Sequence, residues 1–448
     1  MTLHLNLFIY PAGHHEAAWR YDGSEPERIM DLSYYAELAQ RAEAAKFDAI
    51  FFADGPSLME NIQYAARVKP EPLTLLSAIG AVTERIGLIG TASTTYSQPY
   101  NLARQWASVD HLSGGRAGWN IVTTGAASAA GNFGLAEHPV HAERYARADE
   151  YLDVVTKLFD SWEDEALVAD PESGVYADPD RVHRIDHAGR FFSVAGPLNL
   201  PRSPQGRPVY VQAGSSDDGR GFASRWAEAI FTAHQTLGSA QEFYADIKDR
   251  AARLGRDPNG IKVLPGISPI LGSTQREADD LEAQLNELTH PAYGLGQLQR
   301  LTGVDLSSYD LDAPFPREVL NTSGERSEAS RFQLVVDIIQ REKPTLRQVL
   351  HRLAGARGHR VVAGTPELVA DQIQLWHESG AADGFNVMPP YLPGGFDDFV
   401  EHVVPILRRR GLFRSEYAGS TLREHYGLDR PASQYHHTTL DPIHQETA

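Results

Sequence analysis

The sequence of 448 residues predicts a closed parallel β/α barrel with eight strands. Short runs of β-branched and aromatic residues recur along the chain, and we count eight of them. Most of these runs are followed by a segment with the three- and four-residue apolar spacing of an amphipathic helix. Hydrophobic residues make up 42% of the chain and charged residues 22%, which is typical of a globular protein with a large core.

The predicted strands and helices alternate along most of the chain. The strands are 3–9, 48–53, 86–93, 117–123, 208–212, 229–233, 261–271 and 384–388. The helices are 33–45, 73–84, 102–113, 143–162, 219–228, 240–255, 276–289, 366–380 and 396–411. Two gaps, after strand four and between strands seven and eight, far exceed the roughly 30 residues of one barrel unit. We therefore expect one barrel domain over 1–415 with insertions at about 164–208 and 291–360, followed by a C-terminal extension over 416–448.

Both insertions contain turn signals. The first is rich in Asp, Pro and Gly and predicts a β-hairpin within residues 181–194. The second has turn signals at 306–316 and 321–328. Long segments of this kind in a compact domain are usually functional lids or disordered.

Composition excludes several classes of function. The chain has 41 Lys+Arg against 59 Asp+Glu, a net charge of −18, and so lacks the basic face that nucleic-acid binding needs. It has no Cys, which excludes a disulfide framework, a Cys-ligated metal and a thiol nucleophile. No stretch approaches the ~18 apolar residues of a membrane span. With no signal-peptide pattern at the amino terminus, the expectation is a cytoplasmic protein.

Polar residues occur at the ends of successive predicted strands. Asp54 follows strand two, Ser93 and Thr94 end strand three, Asn120 lies in strand four, and Gly214–Ser216 follows strand five. In a parallel barrel the reacting groups lie at the carboxyl ends of the strands. Each residue alone is equally well explained as a helix cap or a turn former. Their coincidence on neighbouring strands favours a site.

Two further features are typical of phosphate binding. The run Ala213–Gly219 leads directly into a helix, so that backbone N–H groups and the hydroxyls of Ser215 and Ser216 lie at a positive dipole end. The alternative is an ordinary N-cap. His141 and Tyr145 are four residues apart and share one helix face, where they can hold one ligand or simply pack.

Histidines suggest two other sites. His14 follows strand one, from where an imidazole can move a proton at the barrel mouth; the alternative is a loop histidine without such a role. His183, Asp186 and His187 have metal-ligand spacing, but no third strong ligand is evident, so we predict no metal. The sequence has no HExxH, Walker A or GxGxxG motif, so no nicotinamide-binding domain is predicted.

Several stretches resemble one known family over almost the whole chain. They are GHHEAAWR, KFDAIFFADG, residues 91–124, residues 141–164, QAGSSDDGRGFA and residues 384–411. The sequence resembles the nitrilotriacetate and dibenzothiophene-sulfone monooxygenase group of bacterial luciferase-like flavin enzymes. This resemblance implies a (β/α)8 TIM barrel and reduced FMN (FMNH2) from a separate NAD(P)H:flavin reductase. It also implies a homodimer or homotetramer that inserts one atom of O2 into a small organic substrate, such as an organosulfur compound or an amine.

The resemblance also implies roles for single residues. His14 is the catalytic polar side chain beside the reactive C4a atom, Asp54 and Thr94 lie along the isoalloxazine, and Asn120 lies near the ring. The ribityl phosphate is bound by His141, Tyr145, Ser215 and Ser216. One departure is that some relatives carry a histidine just after VTS, where this chain has Thr124-Gly125-Ala126. A proton shuttle through that second histidine is therefore not expected.

Three other functions fit the same barrel. One is a riboflavin-degrading member of the family, for which flavin is both cofactor and substrate. Another is a single-component oxidoreductase that uses a deazaflavin. The third is a flavin-binding protein without turnover. A comparison of the binding of reduced FMN with that of deazaflavin distinguishes the deazaflavin oxidoreductase from the predicted monooxygenase. Oxygen consumption with reduced FMN but without any product would favour the flavin-binding protein.

Overall fold

A closed barrel of parallel strands forms the centre of the molecule. The computed structural model describes residues 2–58, 62–321 and 329–435. The strands are β1 (His4–Ile9), β2 (Ala49–Phe52), β3 (Gly87–Ser93), β4 (Ala117–Val122), β5 (Leu167–Asp170), β6 (Val175–Ala177), β7 (His187–Ala188), β8 (Ser193–Val194), β9 (Val209–Gln212), β10 (Ala229–Thr232), β11 (Lys262–Leu271), β12 (Arg360–Gly364) and β13 (Gly384–Val387). Neighbours pair in the order β10, β9, β4, β3, β2, β1, β13, β11, and the pairing of β10 with β11 closes the barrel. The predicted fold class and its eight barrel strands are confirmed.

The barrel strands are buried on both faces. Every residue of β1, β2 and β9 is buried, as expected for parallel strands covered by helices outside and side chains inside. The polar residues of β1 have partners that make this burial possible. His4 Nδ1 lies 2.9 Å from Asp48 Oδ1, and Asn6 Nδ2 donates to Asn386 Oδ1 at 3.1 Å.

Helices surround the barrel. They are α1 (Leu32–Ala44), α2 (Pro72–Gly80), α3 (Pro99–Leu112), α4 (His141–Asp160), α5 (Asp217–Trp226), α6 (Leu237–Arg253), α7 (Gln275–Glu287), α8 (Pro291–Thr302), α9 (Ala329–Glu342), α10 (Leu346–Ala356), α11 (Pro366–Glu378), α12 (Gly394–Asp398), α13 (Val404–Arg409) and α14 (Leu422–Tyr426). A π-helical turn, Phe399–Val403, joins α12 to α13. The nine predicted helices are all present to within a few residues. Among the described helices, none is both long and apolar enough to cross a membrane.

The two insertions have different structures. The first, after α4, forms the small antiparallel pairs β5–β6 and β7–β8, and the second of these is the predicted hairpin. The second insertion folds as α8 to α10, for which the sequence had predicted only turns. These helices have their own apolar cluster, which includes Leu298, Phe315 and Leu350. The turn signals at 306–316 lie between α8 and α9, whereas 322–328 lie outside the described residues.

Three strands were not predicted: β5, β6 and the strand β12 at the edge of the barrel. β12 pairs in parallel with the second half of β11, where Ile267 lies opposite Arg360 and Leu271 opposite Gly364. The run is only five residues long and its partner lies far away in the sequence, so local pattern gave no sign of it.

Helix α14 closes the amino-terminal end of the barrel. Leu422 and Tyr426 are fully buried among residues of the barrel interior. A Cβ at Gly87 would lie 2.5 Å from Leu422 Cδ1, so only glycine leaves room for this side chain. The Tyr426 hydroxyl donates to Asn6 Oδ1 at 2.8 Å. Helix α14 is therefore part of the barrel core.

Candidate active site

The start of α5, at the carboxyl end of β9, has the geometry predicted for an anion-binding cradle. Ser216 is the N-cap, and its Oγ accepts a hydrogen bond from the Gly219 amide at 3.1 Å. The Ser215 carbonyl accepts from Arg220 Nε at 3.0 Å. A Cβ at Gly214 would collide with the amide of Gln212, so glycine is required where the chain turns into the helix. Free N–H groups at this positive helix end can bind a phosphate-sized anion.

The first turns of α4 lie against this cradle. The Tyr145 side chain hydrogen-bonds to Ser216 and to Thr123, and burial raises the pKa of its phenol, so it remains protonated and can donate. His141 packs on Tyr145 with ring centroids 4.9 Å apart, and its Nδ1 lies 3.1 Å from Asp218 Oδ2. The structure therefore brings His141, Tyr145 and Ser216 together, next to Ser215.

The predicted ring-binding residues lie at the ends of β2, β3 and β4. Thr94 is fully buried, and its Oγ1 donates to the Val122 carbonyl at 3.3 Å. Asn120 Nδ2 donates to Thr91 Oγ1 at 2.8 Å, whereas its Oδ1 is buried without a hydrogen-bond partner among the described residues. Such an unmade bond costs about 1–3 kcal/mol, so a donor from a bound molecule would be stabilising there. Burial raises the pKa of Asp54, whose carboxylate lies 3.6 Å from Lys69 Nζ.

His14 is held in one protonation state. Its Nε2 lies 2.9 Å from the Phe8 carbonyl oxygen, which can only accept, so Nε2 carries the proton. Complete burial, and then the nearby Arg357 guanidinium, hold the pKa of His14 well below its ordinary value. Its Nδ1 is buried and has no partner among the described residues. The sequence predicted a proton-moving residue, and that role stays a prediction; in this geometry Nδ1 of the neutral ring is a hydrogen-bond acceptor.

Gly13 fixes the position of that imidazole. Its φ of +127° lies in the region that favours glycine, and a Cβ there would collide with the backbone of Tyr391. The His14 amide donates to the Pro389 carbonyl at 2.9 Å, which ties the loop after β1 to the segment after β13. The His14 ring packs on Phe8 with centroids 4.5 Å apart.

A group of ionic side chains beside His14 was not predicted from the sequence. Glu16 Oε1 accepts from Arg357 Nε at 2.8 Å, and its Oε2 accepts from Arg67 Nη2 at 3.0 Å and from the Tyr293 hydroxyl at 3.0 Å. Arg67 Nη1 also donates to the Tyr10 hydroxyl at 2.6 Å. Tyr10 directly follows β1, so its strand-end position could have identified it. Arg357 is 341 residues from Glu16, and no local signal connects them.

The histidines with metal-ligand spacing have separate partners. His183 Nε2 lies 2.7 Å from Glu163 Oε1, and His187 Nε2 lies 3.2 Å from Glu150 Oε1. Among the described residues, no group of three His, Asp or Glu is arranged to hold a metal ion.

An eight-stranded barrel with buried polar groups at its carboxyl end defines a barrel enzyme. Residues 8–383 match the family model described as "Luciferase-like monooxygenase". The chain therefore belongs to the luciferase-like monooxygenase family, and it is a monooxygenase.

Relatives of known name cover nearly the whole chain. The chain is 48% identical to N-acetyl-S-(2-succino)cysteine monooxygenase of Bacillus subtilis (strain 168), over 96% of this chain and 98% of the relative. It is 45% identical to nitrilotriacetate monooxygenase component A of Aminobacter aminovorans, over 96% and 97%. A crystal structure of riboflavin lyase with modified FMN and riboflavin superposes with a TM-score of 0.85 at 35% identity, over 96% and 97%. The family that the sequence motifs indicated is confirmed.

Proposed function

We propose that this chain is the oxygenase component of a two-component monooxygenase. It takes reduced FMN from a separate NAD(P)H:flavin reductase and transfers one atom of O2 to a small organosulfur or amine substrate, while the other atom leaves as water. The observation that carries this proposal is the Ser216-capped start of α5 with Tyr145 bonded to it, a cradle for a dianion. A relative whose name includes "component A" supports the separate reductase.

The phosphate of FMN fits the cradle on α4 and α5. The hydroxyls of Ser215, Ser216 and Tyr145 donate hydrogen bonds, and His141 adds a fourth donor when its contact with Asp218 is exchanged for the phosphate. The partial positive charge at the start of α5 adds to these bonds. Neutral riboflavin lacks the group that these residues recognise.

The flavin ring fits among the ends of β2, β3 and β4. Asn120 Oδ1, buried and without a partner, can accept an N–H of the ring, and Asp54 and Thr94 lie on the neighbouring strands. Reduced flavin, when bound, supplies the two electrons that activate O2. His14, neutral and with Nδ1 as acceptor, takes a hydrogen bond from a group next to the reacting atoms, and its complete burial keeps water away.

The remaining expectations belong to the same proposal. Residues 1–415 act as one barrel domain to whose core the C-terminal extension over 416–448 contributes α14, and the active form is a homodimer or homotetramer. The enzyme works in the cytoplasm, where NAD(P)H-dependent flavin reductases operate.

Reconstitution tests the proposal. The isolated chain with NADH, oxidised FMN and a thioether substrate should give no oxygenation, and an added flavin reductase should restore it. We expect one mole of sulfoxide for each mole of NADH whose oxidation is coupled to oxygenation. Mass spectrometry with ¹⁸O2 should show that the sulfoxide oxygen comes from O2. NADH oxidation by the isolated chain at the rate of turnover would contradict the two-component assignment.

A second candidate function is flavin degradation, which the riboflavin lyase match favours. The same reaction mixture separates the two functions when riboflavin replaces the thioether. Consumption of riboflavin with release of a cleaved ring product, and no label in any thioether or amine, would favour the lyase.

A further inference from the structure

We infer that a basic cluster beside His14, formed by Tyr10, Arg67, Lys69 and Arg357, binds a carboxylate of the substrate. This inference rests on the proposed function and names the chemical class of its substrate: an acid whose carboxylate lies a few bonds from the oxygenated atom. We call these four residues the basic cluster.

The charges of the basic cluster do not balance. Its three cations face two carboxylates. Glu16 is shared between Arg67 and Arg357, while Lys69 lies 3.6 Å from Asp54. One positive charge is left over in a region where the Arg67 side chain is only 7% exposed. Buried charge is costly without a partner, so an anion from outside is favoured there.

Hydrogen-bond donors in the basic cluster also lack acceptors. Arg67 Nε is buried and has no partner among the described residues. The Tyr10 hydroxyl accepts from Arg67 Nη1, which leaves its own O–H free to donate. Arg357 lies over the Tyr10 ring, with 3.6 Å from its guanidinium carbon to the ring centroid. Guanidinium and hydroxyl donors on converging side chains are the usual recognition groups for a carboxylate.

The local potential is positive. Burial alone raises the pKa of the Tyr10 phenol, yet Arg357, Arg67 and Lys69 bring it below its ordinary value. The same Arg357 helps lower the pKa of His14. The field that stabilises an anion at Tyr10 therefore extends to the proposed catalytic side chain.

The basic cluster is placed for a substrate. The rings of Tyr10 and His14 have centroids 5.7 Å apart, and both follow β1 at the carboxyl end of the barrel. Lys69 and Arg357 are 22% and 17% exposed, so the cluster has an edge that a ligand can reach. When a carboxylate binds there, the rest of the substrate molecule lies close to His14.

The second insertion supplies part of the basic cluster. Arg357 is the residue that ends α10, and its φ of 54° turns the chain back toward the barrel. From α8, Tyr293 and Gln297 bond to Glu16, which fixes the carboxylate that orients both arginines. The insertion therefore determines which anions the barrel mouth accepts.

Calorimetric titration of the FMN-loaded enzyme tests the inference. The probes are thiodiglycolate, iminodiacetate and succinate, with thiodiglycol as the uncharged analogue that keeps the same sulfur. We expect thiodiglycolate to bind at least ~10-fold more tightly than thiodiglycol, which is the strength of one or two charge-assisted bonds. Addition of salt should weaken the binding of the acids and leave the binding of thiodiglycol unchanged.

Variants locate the binding. Lys69→Met removes a cation that does not contact Glu16, and Tyr10→Phe removes only a hydroxyl. Each substitution should lower the affinity for the acids by about 5- to 10-fold. Arg276→Met is the control, because that side chain is 90% exposed and its ion pair is with Asp280 of the same helix. With an oxygenated acid, Lys69→Met should raise KM by a larger factor than it lowers kcat.

The outcomes are distinct. Any of three results would overturn the inference. The first is equal affinity for thiodiglycolate and thiodiglycol, and the second is that no acid binds with a Kd below about 10 mM. The third is an equal loss of acid affinity in Lys69→Met and Arg276→Met. FMN binding is measured on the same samples. If FMN binds and the acids do not, only this inference fails; if FMN does not bind, the proposed function fails.

Discussion

At the amino-terminal end of the barrel, Asp48 and Glu228 each have a cation of their own, whereas at the mouth Glu16 is shared by two arginines. Asp48 contacts Arg414 and lies 2.9 Å from His4 Nδ1. Glu228 accepts from both terminal nitrogens of Arg423, at 2.6 and 3.0 Å.

The mouth differs in its hydrogen bonding as well as in its charge. His14 Nδ1 and Asn120 Oδ1 are buried there without partners among the described residues. Barrel enzymes keep stability at the amino-terminal face and chemistry at the carboxyl face. From this comparison we expect the unsatisfied polar groups at the mouth to bind a ligand, whereas the ion pairs at the other end stabilise the fold.

The largest expected effect breaks the paired end. Arg423→Met leaves Glu228 buried without its bidentate partner, which costs about 3–5 kcal/mol of the free energy of unfolding. Chemical denaturation should show this loss, while kcat of the folded enzyme stays unchanged. Arg276→Met, an exposed and isolated change, is the control. A fall in kcat of the folded Arg423→Met enzyme would show that the two ends of the barrel are not independent.

The next effect breaks the mouth. His14→Ala should lower kcat by roughly 10²-fold, about 2.7 kcal/mol, because a positioned hydrogen-bond acceptor beside the reacting atoms is lost. FMN affinity and unfolding should change little. His15 is the internal control, since its Nε2 bonds to Asn286 at 3.2 Å and burial lowers its pKa to about 4. Normal turnover in His14→Ala together with loss in His15→Ala would mean that the roles of the two are exchanged.

A carboxyl at the amino-terminal end sharpens the comparison, because it is less well compensated. Burial raises the pKa of Asp110 to about 6, against hydrogen bonds from Ser203, the Ala117 amide and Gln205 that favour the carboxylate. A raised carboxyl pKa destabilises the fold above pH 6 and has no effect below about pH 4. Asp110→Asn should therefore raise the free energy of unfolding by about 2 kcal/mol at pH 8 and leave it unchanged at pH 4. Denaturation at both pH values measures this, and an equal change at the two would contradict it.

The smallest effect concerns the phosphate cradle. FMN should bind at least ~10-fold more tightly than riboflavin, about 1.4 kcal/mol, and Ser216→Ala should remove much of that difference. Fluorescence titration of both flavins gives the ratio. Thr236→Ala removes a similar N-cap from α6 and should leave the ratio unchanged. Equal affinity of the wild-type chain for the two flavins would remove the phosphate assignment.

Local pattern predicted much of the fold and part of the candidate site. The eight barrel strands and nine helices followed from apolar spacing, because each element must bury one face or both. Strand-end position identified Asp54, Thr94, Asn120 and the Ser215–Ser216 turn, because parallel strands bring their carboxyl ends to one side. Helices α8 to α10 were missed, since their turn-rich surroundings hid a separate apolar cluster.

The sequence by itself determined the barrel, the Ser216-capped start of α5 and the family, because these depend on neighbours within a few residues or on motifs that stay contiguous. Only the tertiary structure decided the protonation state of His14, which follows from the Phe8 carbonyl and from Arg357. It also decided that Arg67 and Arg357 meet at Glu16, because the β2 loop and the end of α10 converge on the loop after β1. Charge and burial at the mouth depend on such long-range contacts, and no local pattern contains them.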